Sequence, residues 1–158
     1  MPGYLLDNNH VQALYNKVPA VINRLQAIGD AQLRTSAIVL GEIDAGHRMT
    51  VTTDQAKRDE YEAWVNKMFI HHVCNITAST RKYYGEIIGK IWEKHCPNSG
   101  RTKTERHLVD ALGIDVNDVW ITATAWEHGL TLVTNDGMEK VRTVAEETGL
   151  KIENWIRP

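Results

Sequence analysis

The chain has 158 residues, of which 42% are apolar, and a formal net charge of −2. This length and composition predict one globular domain, over residues 1–158, that buries a core of its own. No apolar run approaches the roughly 18 to 20 residues that a membrane-spanning helix requires. The first residues, MPGYLLD, carry an acid where a signal peptide would carry basic residues. We therefore expect no membrane segment and a cytoplasmic location.

The charge is unevenly distributed along the chain. The net charge of −2 argues against binding nucleic acid through the electrostatic field of the whole protein. Residues 81–106, however, contain seven basic and three acidic residues, a local charge of +4. A basic face beside an acidic pocket would suit a polyanionic substrate that meets a metal ion. The alternative is that these charges are only the solvated faces of a helix and a loop.

Short strands and helices are predicted to alternate in the first half of the chain. A strand ends at Asp7, and helices follow over 11–18 and 19–28, the second opened by a proline and stopped by a glycine. After a strand over 33–35, Ser36 is the predicted N-cap of a third helix. A glutamate, residue 42, falls on the apolar stripe of that helix, where a carboxylate needs a partner.

The second half continues the same alternation. Trp120 and Trp126 are predicted to lie in the core rather than to form a base-stacking platform. Alternation of this kind predicts a three-layer α/β/α sandwich with a short parallel central sheet, in the order βααβααβαα(βα)β. The predicted elements are a helix capped by Asp54, a strand over 69–76, a helix from Thr77 or Thr80 to Pro97, a polar loop over 97–106, one helical turn over 108–112, a helix starting near Asp118, a strand over 130–136, a helix from Met138 to Gly149 and a strand over 150–153.

Histidine and cysteine positions do not predict a zinc site. Period-two geometry puts His72 and Cys74 on one face of a strand, beside His71, but zinc needs four suitably spaced ligands. The two cysteines, Cys74 and Cys96, are too few for a disulfide framework, so both are predicted to be reduced.

Acidic residues from distant parts of the chain are predicted to converge at one edge of the sheet. Asp7 and Asp136 end strands and Asp118 starts a helix, which places them where open α/β sheets bind ligands. With Glu42 they form the candidate site. Each aspartate alone also fits a turn or a helix cap. Three nearby acids are substitutes, with Glu139 the best of them: Asp44, Asp115 and Glu139.

Such a group of carboxylates needs a counter-charge. Two carboxylates about 4 Å apart repel by roughly 4 kcal/mol at an effective dielectric near 20. Protonation, a nearby Lys or Arg, or a divalent cation would relieve this, and only the histidines His10 and His47 stand near the acids in sequence. Oxygen ligands favour Mg²⁺ or Mn²⁺, which can polarise a phosphoryl oxygen and activate a water molecule.

These residues resemble the motifs of the PIN (PilT N-terminus) domain nucleases, and in particular of the VapC-type toxins of bacterial toxin–antitoxin pairs. YLLDNN at 4–9 is similar to the opening strand with its Asp-Thr/Ser-Asn/Ser motif, and SAIVLGE at 36–42 to the glutamate helix. NDVWITATA at 117–125 is similar to Asn-Asp-x-x-Ile-Ala-Ala-x-Ala, and LTLVTND at 130–136 to the Leu-Thr-Leu-Val-Thr-x-Asp/Asn strand. The four motifs occur in the expected order over essentially the whole chain. The resemblance is specific for the family and less so for the substrate.

The resemblance implies a metal-dependent endoribonuclease that leaves a 5′-phosphate and a 3′-hydroxyl. It implies that the four acids hold Mg²⁺ or Mn²⁺, supported by the polar groups of Asn9 and Thr134, with Glu139 as a further candidate. Toxins of this type commonly act on structured or transfer RNA. They form homodimers, and a cognate VapB-like antitoxin holds them inactive by laying a segment across the acidic pocket.

The chain departs from the family pattern at two places. Asn8 stands where Thr or Ser is usual, which affects one polar contact and no ligand. The loop over 97–112 is longer than in compact relatives, and its Arg101, Lys103 and Arg106 are candidates for phosphate contacts. A structural role for this loop, or a contact with the antitoxin, is an equal alternative.

Other functions with similar acids fit the sequence less well. A haloacid-dehalogenase-like phosphatase needs a second aspartate where Asn9 stands, and a phosphorelay receiver needs a lysine at a late strand end, which residues 130–136 lack. A non-catalytic PIN-like RNA-binding or regulatory module is the remaining alternative, and the presence of all four acids argues against it.

Overall fold

The computed structural model describes residues 2–50, 54–96 and 104–158. Within these residues five strands form one sheet in which every pairing is parallel. The strands are β1 (Gly3–Leu6), β2 (Gln32–Ser36), β3 (Val73–Cys74), β4 (Thr131–Val133) and β5 (Ile152–Glu153).

Strand β1 is the centre of the sheet, whose order is β3-β2-β1-β4-β5. Its residues Tyr4, Leu5 and Leu6 are all buried, as expected for a parallel strand covered on both faces. Leu6 is in register with Val133 of β4. The chain leaves β1 towards β2 and later returns to β4 on its other side, so the strand order reverses at the carboxyl end of β1, where open α/β sheets bind ligands.

Helices cover both faces of the sheet, which confirms the predicted α/β/α sandwich. With the strand order β3-β2-β1-β4-β5, the right-handed rule for crossovers between parallel strands assigns the first four helices to one face and the last four to the other. None of the described helices has the length and apolarity needed to cross a bilayer. The helices are α1 (Asn8–Tyr15), α2 (Pro19–Ile28), α3 (Ala37–Met49), α4 (Gln55–Met68), α5 (Thr80–His95), α6 (Glu105–Leu112), α7 (Val116–Glu127) and α8 (Glu139–Glu147).

The core has two parts. The larger is built on β1 and β4 and receives apolar side chains from α1 to α4. The smaller joins α5 to α7 and α8, through residues such as Ile87, Ile91 and Val144. Trp120 stacks on Tyr84 at a ring-centroid distance of 4.0 Å and packs against this second part. Trp120 is therefore a packing residue, as predicted, and Trp126 packs against both parts of the core.

Two predicted elements between α4 and α7 were wrong in extent. The strand predicted over 69–76 is only Val73–Cys74, because α4 continues to Met68 and the chain then turns at His71, whose φ is +63°. Phe69 gave the run its apolar character, and it is buried in this turn rather than in a strand.

The second wrong element is the turn predicted over 108–112, which is the end of a full helix, α6. Thr104 caps this helix by accepting a hydrogen bond from the His107 N–H, and the Tyr84 hydroxyl donates to Glu105 at 2.9 Å. Three helices therefore separate β3 from β4, not two. Residues 97–103 of the predicted loop lie outside the described residues.

An acidic cleft at the carboxyl edge of the sheet

Asp7 lies at the exact point where the strand order reverses. Its N–H donates to the Val133 carbonyl at 2.9 Å, which continues the ladder of β1 by one residue. Its carboxylate caps α1 by accepting from the Asn8 N–H at 2.7 Å and accepts from the Thr134 hydroxyl at 2.7 Å. Only 2% of the residue is exposed. Burial raises its pKa from 3.8 to about 6, reinforced by Asp136 and opposed by these two hydrogen bonds.

Asp118 lies in the first turn of α7, while Asp115 is the residue that caps the helix. The Asp115 carboxylate accepts from the Asn117 N–H at 2.8 Å. Burial raises the pKa of Asp118 from 3.8 to about 7, and the negative charges of Asp115 and Asp7 raise it further. Asp118 is therefore partly protonated near neutral pH when no cation is bound.

Asp136 lies three residues beyond β4, so the strand predicted over 130–136 ends early, at Val133. The Asp136 N–H donates to the Thr134 hydroxyl oxygen at 3.1 Å. Because the same hydroxyl donates to Asp7, Thr134 links the backbone of one acid to the carboxylate of another.

These three aspartates form a carboxylate cluster. Oxygen atoms of Asp7, Asp118 and Asp136 all lie within 4.8 Å of one another. Across the described ranges, no Lys or Arg nitrogen lies within 4.0 Å of any of these carboxylates. An all-oxygen donor set of this kind is the set that hard divalent cations such as Mg²⁺ and Mn²⁺ prefer.

Glu42 lies in the same cleft but outside the cluster of three. It is half-buried on α3, and its Oε1 accepts a hydrogen bond from the Asn117 side chain at 2.9 Å. Burial raises its pKa, an effect that the Asn117 amide opposes and the charges of Asp115 and Asp136 increase. The predicted set of four acids thus consists of three adjoining carboxylates and a fourth, Glu42, which lines the side of the cleft and is held there by Asn117.

The acidic cleft has a volume of about 660 Å³ and opens to solvent. Sequence reasoning did not assign Gln12 or Asn117 to the site. The available signals were that Gln12 follows Asn8 by one helical turn and that Asn117 directly precedes Asp118. The lining residues are Asn8, Asn9, Gln12, Glu42, Asp115, Asp118 and Asp136.

The other predicted residues lie at different distances from the cluster. Asn9 lines the cleft, and Thr134 is fully buried beneath it. Glu139 is exposed in the first turn of α8 and lines a neighbouring pocket that shares Asp115 and Asp118 with the cleft. Arg106 is on α6, where its side chain is 91% exposed and 3.8 Å from Asp110. Arg101 and Lys103 lie outside the described residues.

The fold and the cleft define a class: an α/β/α domain with a carboxylate cluster at the switch point of a parallel sheet. The model of the PIN domain matches residues 4–144. The chain belongs to the PIN domain family.

Solved structures confirm the fold over nearly the whole chain. VapBC2 from Rickettsia felis, bound to a DNA fragment from its promoter, is 22% identical with a TM-score of 0.64, covering 97% of this chain and 98% of that one. DNA-bound VapBC from Salmonella typhimurium is 19% identical with a TM-score of 0.65, covering 98% and 99%. FitAcB from Neisseria gonorrhoeae is 19% identical with a TM-score of 0.63, covering 96% and 97%. A comparison with curated protein sequences gives no match.

Proposed function

We propose that the protein is a Mg²⁺- or Mn²⁺-dependent endoribonuclease and the toxin of a type II toxin–antitoxin pair. The observation that carries the nuclease proposal is the cluster of Asp7, Asp118 and Asp136, three carboxylates with oxygen atoms within 4.8 Å of one another. No Lys or Arg among the described residues forms an ion pair with them. These residues would hold the metal, with Glu42 contributing from the wall of the cleft. When bound, the metal supplies polarisation of a phosphoryl oxygen and activation of a water molecule.

The chain's own residues prepare this site in two ways. Thr134 and the Asn8 N–H fix both oxygens of the Asp7 carboxylate, so this group needs no reorientation to bind a cation. The Asn117 amide fixes Glu42. In the metal-free cluster the pKa of Asp118 is raised to about 7, so a bound cation would lower this pKa and hold the carboxylate in its ionised form.

The partner and the substrate are proposed from the family and from the structural neighbours. Membership of the PIN domain family supports RNA, including transfer RNA, as the substrate. The neighbours include VapBC assemblies from Rickettsia felis and Salmonella typhimurium, which supports a VapB-like antitoxin for this chain. The same proposal includes a homodimer and a supporting role at the metal site for Asn9, Thr134 and Glu139. It also includes contacts with RNA phosphates by Arg101, Lys103 and Arg106.

Cleavage of RNA by a matched pair of variants tests the proposal. Asp118→Asn removes one charge from the cluster, whereas Asp30→Asn removes one from an exposed residue just before β2, at the opposite edge of the sheet. We expect Mn²⁺-dependent cleavage and growth arrest with the wild type and Asp30→Asn, and neither with Asp118→Asn. If the wild type binds RNA without cleaving it and a folded Asp118→Asn variant behaves in the same way, the chain is a non-catalytic RNA-binding module instead. Cleavage by both proteins would show that the cluster is not the active site.

The antitoxin needs a separate test. We expect the gene beside this one to encode a small DNA-binding protein whose co-expression suppresses growth arrest and RNA cleavage. A neighbour that leaves both unchanged would contradict the toxin–antitoxin assignment and leave the nuclease proposal standing.

A further inference from the structure

His10 is a polar residue in the core that the proposed chemistry does not use. It is 0% exposed. Its Nε2 accepts a hydrogen bond from the Trp155 N–H at 3.0 Å, and its Nδ1 lies 2.8 Å from the Asn9 side-chain oxygen. A ring nitrogen that accepts from a backbone N–H carries no proton, so Nδ1 carries the proton and donates to Asn9. The two partners therefore fix one neutral tautomer.

The same Asn9 oxygen also holds the loop that carries Asp136. It accepts from the Asn135 N–H at 3.1 Å. The Asn135 side-chain oxygen in turn accepts from the Asn154 amide at 2.8 Å. Asn135 is thus held through its backbone from one side and through its side chain from the other.

These hydrogen bonds close a ring through three separate parts of the fold. Asn9 and His10 begin α1, Asn135 follows β4, and Asn154 and Trp155 follow β5. Asn135 stands between Thr134, whose hydroxyl donates to Asp7, and Asp136 itself. A displacement at Trp155 would therefore reach the carboxylate cluster through only two side chains, His10 and Asn9.

We infer that His10 is a positioning residue that couples the Asn154–Trp155 segment to the Asp136 loop and so fixes the geometry of the metal site. His10 does not touch the cleft, and it acts through Asn9 and Asn135. Residues that hydrogen-bond to metal ligands without contacting the metal typically change metal affinity by 10- to 100-fold when they are replaced. The inference rests on the proposed function for its metal readout, and on hydrogen exchange for a readout that needs no metal.

The test compares two variants of the ring with a control that weakens the same segment elsewhere. His10→Phe keeps a buried ring but removes both hydrogen bonds, and Asn154→Ala removes the bond to Asn135. The control, Arg24→Met, removes the 3.1 Å ion pair between Arg24 and Glu153 and the cation 6.0 Å from the centre of the Trp155 side chain, and it removes none of the hydrogen bonds that join Asn9, His10, Trp155, Asn154 and Asn135. Each variant is measured by Mn²⁺ titration and, in the metal-free protein, by amide hydrogen exchange.

We expect His10→Phe to weaken Mn²⁺ binding by about tenfold or more and to speed exchange at the Asn135 amide, while the amides of β1 stay protected. Asn154→Ala should do the same to a smaller extent and serves if His10→Phe does not fold. Arg24→Met should lower Tm and leave Mn²⁺ affinity within about twofold.

Two results would overturn the inference. One is an unchanged rate of hydrogen exchange at the Asn135 amide in both His10→Phe and Asn154→Ala. The other is a loss of Mn²⁺ affinity in Arg24→Met as large as that in His10→Phe. A wild type that binds no Mn²⁺ would defeat the proposed function alone. The exchange measurement would then still decide whether His10 positions the loop.

Discussion

The helices α1 and α4 begin in the same way and in opposite surroundings. Asp7 caps α1 and Asp54 caps α4, each accepting a backbone N–H within its own helix. Asp54 is exposed, so its cap stabilises a helix at little cost in desolvation. Asp7 is buried beside two other aspartates, and its pKa is raised to about 6. The ionised Asp7 carboxylate therefore destabilises the metal-free protein, and a bound cation would relieve this cost. A residue that becomes favourable only when a ligand is bound is typical of a binding site.

The largest expected difference between the two caps is in RNA cleavage. Asp7→Asn keeps the shape of the side chain but removes the charge, so Mn²⁺-dependent cleavage should fall more than about 100-fold. Asp54→Asn should leave it within about twofold. Single-turnover cleavage of one RNA by both purified variants measures this. Equal loss in the two variants would mean that the cleft is not the site.

Stability should change in opposite directions at the two caps. The rise in the pKa of Asp7 from 3.8 to about 6 means that folding disfavours its ionised form by about 3 kcal/mol. Replacement by Asn recovers only part of this free energy, because it also alters the hydrogen bond from Thr134. We expect Asp7→Asn to raise the unfolding free energy of the metal-free protein by about 1–2 kcal/mol at pH 8. Asp54→Ala should lower it by about 1 kcal/mol. Urea denaturation measures both, and destabilisation by Asp7→Asn would contradict the comparison.

The pH dependence of stability sharpens the same contrast. Asp7 and Asp118 have folded-state pKa values raised to about 6 and about 7, so their contribution is complete below about pH 3.8 and is lost as the pH rises through these values. Burial lowers the pKa of His10 from 6.5 to about 4, so its contribution is present above pH 6.5 and lost as the pH falls.

With two acids against one histidine, the metal-free protein should lose stability between pH 4 and pH 7. In the double variant Asp7→Asn, Asp118→Asn only the His10 contribution remains among these three groups, and the slope should reverse. Urea midpoints across this pH range measure it. An unchanged slope would show that the two carboxyls are not the groups that titrate.

The smallest expected effect concerns the wall of the cleft. Asn117→Ala removes the amide that opposes the raised pKa of Glu42, so this pKa should rise further and the carboxylate loses the hydrogen bond that fixes it. Because Glu42 lies outside the cluster, we expect Mn²⁺ affinity to fall by about tenfold or less, measured by calorimetry. Asn23→Ala, on the exposed face of α2, is the control. A loss of Mn²⁺ affinity as large as that of Asp7→Asn in the same titration would place Glu42 among the principal ligands.

Local signals made much of the fold predictable. Ser36 caps α3 by accepting from the Val39 N–H at 3.2 Å, and α2 starts at Pro19 and ends before Gly29, both as the sequence indicates. Asp7 was assigned to the site because it ends an apolar strand. In each case one or two neighbouring residues specify the structure.

What the sequence did not reveal depends on distant contacts. The Asn117 amide meets Glu42 from 75 residues away, and His10 meets Trp155 from 145 residues away. No periodicity or spacing encodes such pairs. The start of α6 combines the local Thr104 cap with a bond from the distant Tyr84 to Glu105, and the buried turn at Phe69 has the composition of a strand.

Binding of Mg²⁺ or Mn²⁺ by the cluster of Asp7, Asp118 and Asp136 is the property on which the proposed nuclease activity depends. Calorimetric titration of Mn²⁺ into the metal-free protein at pH 7.5, with Asp118→Asn alongside, tests it most directly. We predict saturable binding by the wild type, accompanied by a rise in Tm, and no saturable binding by the variant. Absence of binding by the wild type, or equal binding by both proteins, would contradict the account.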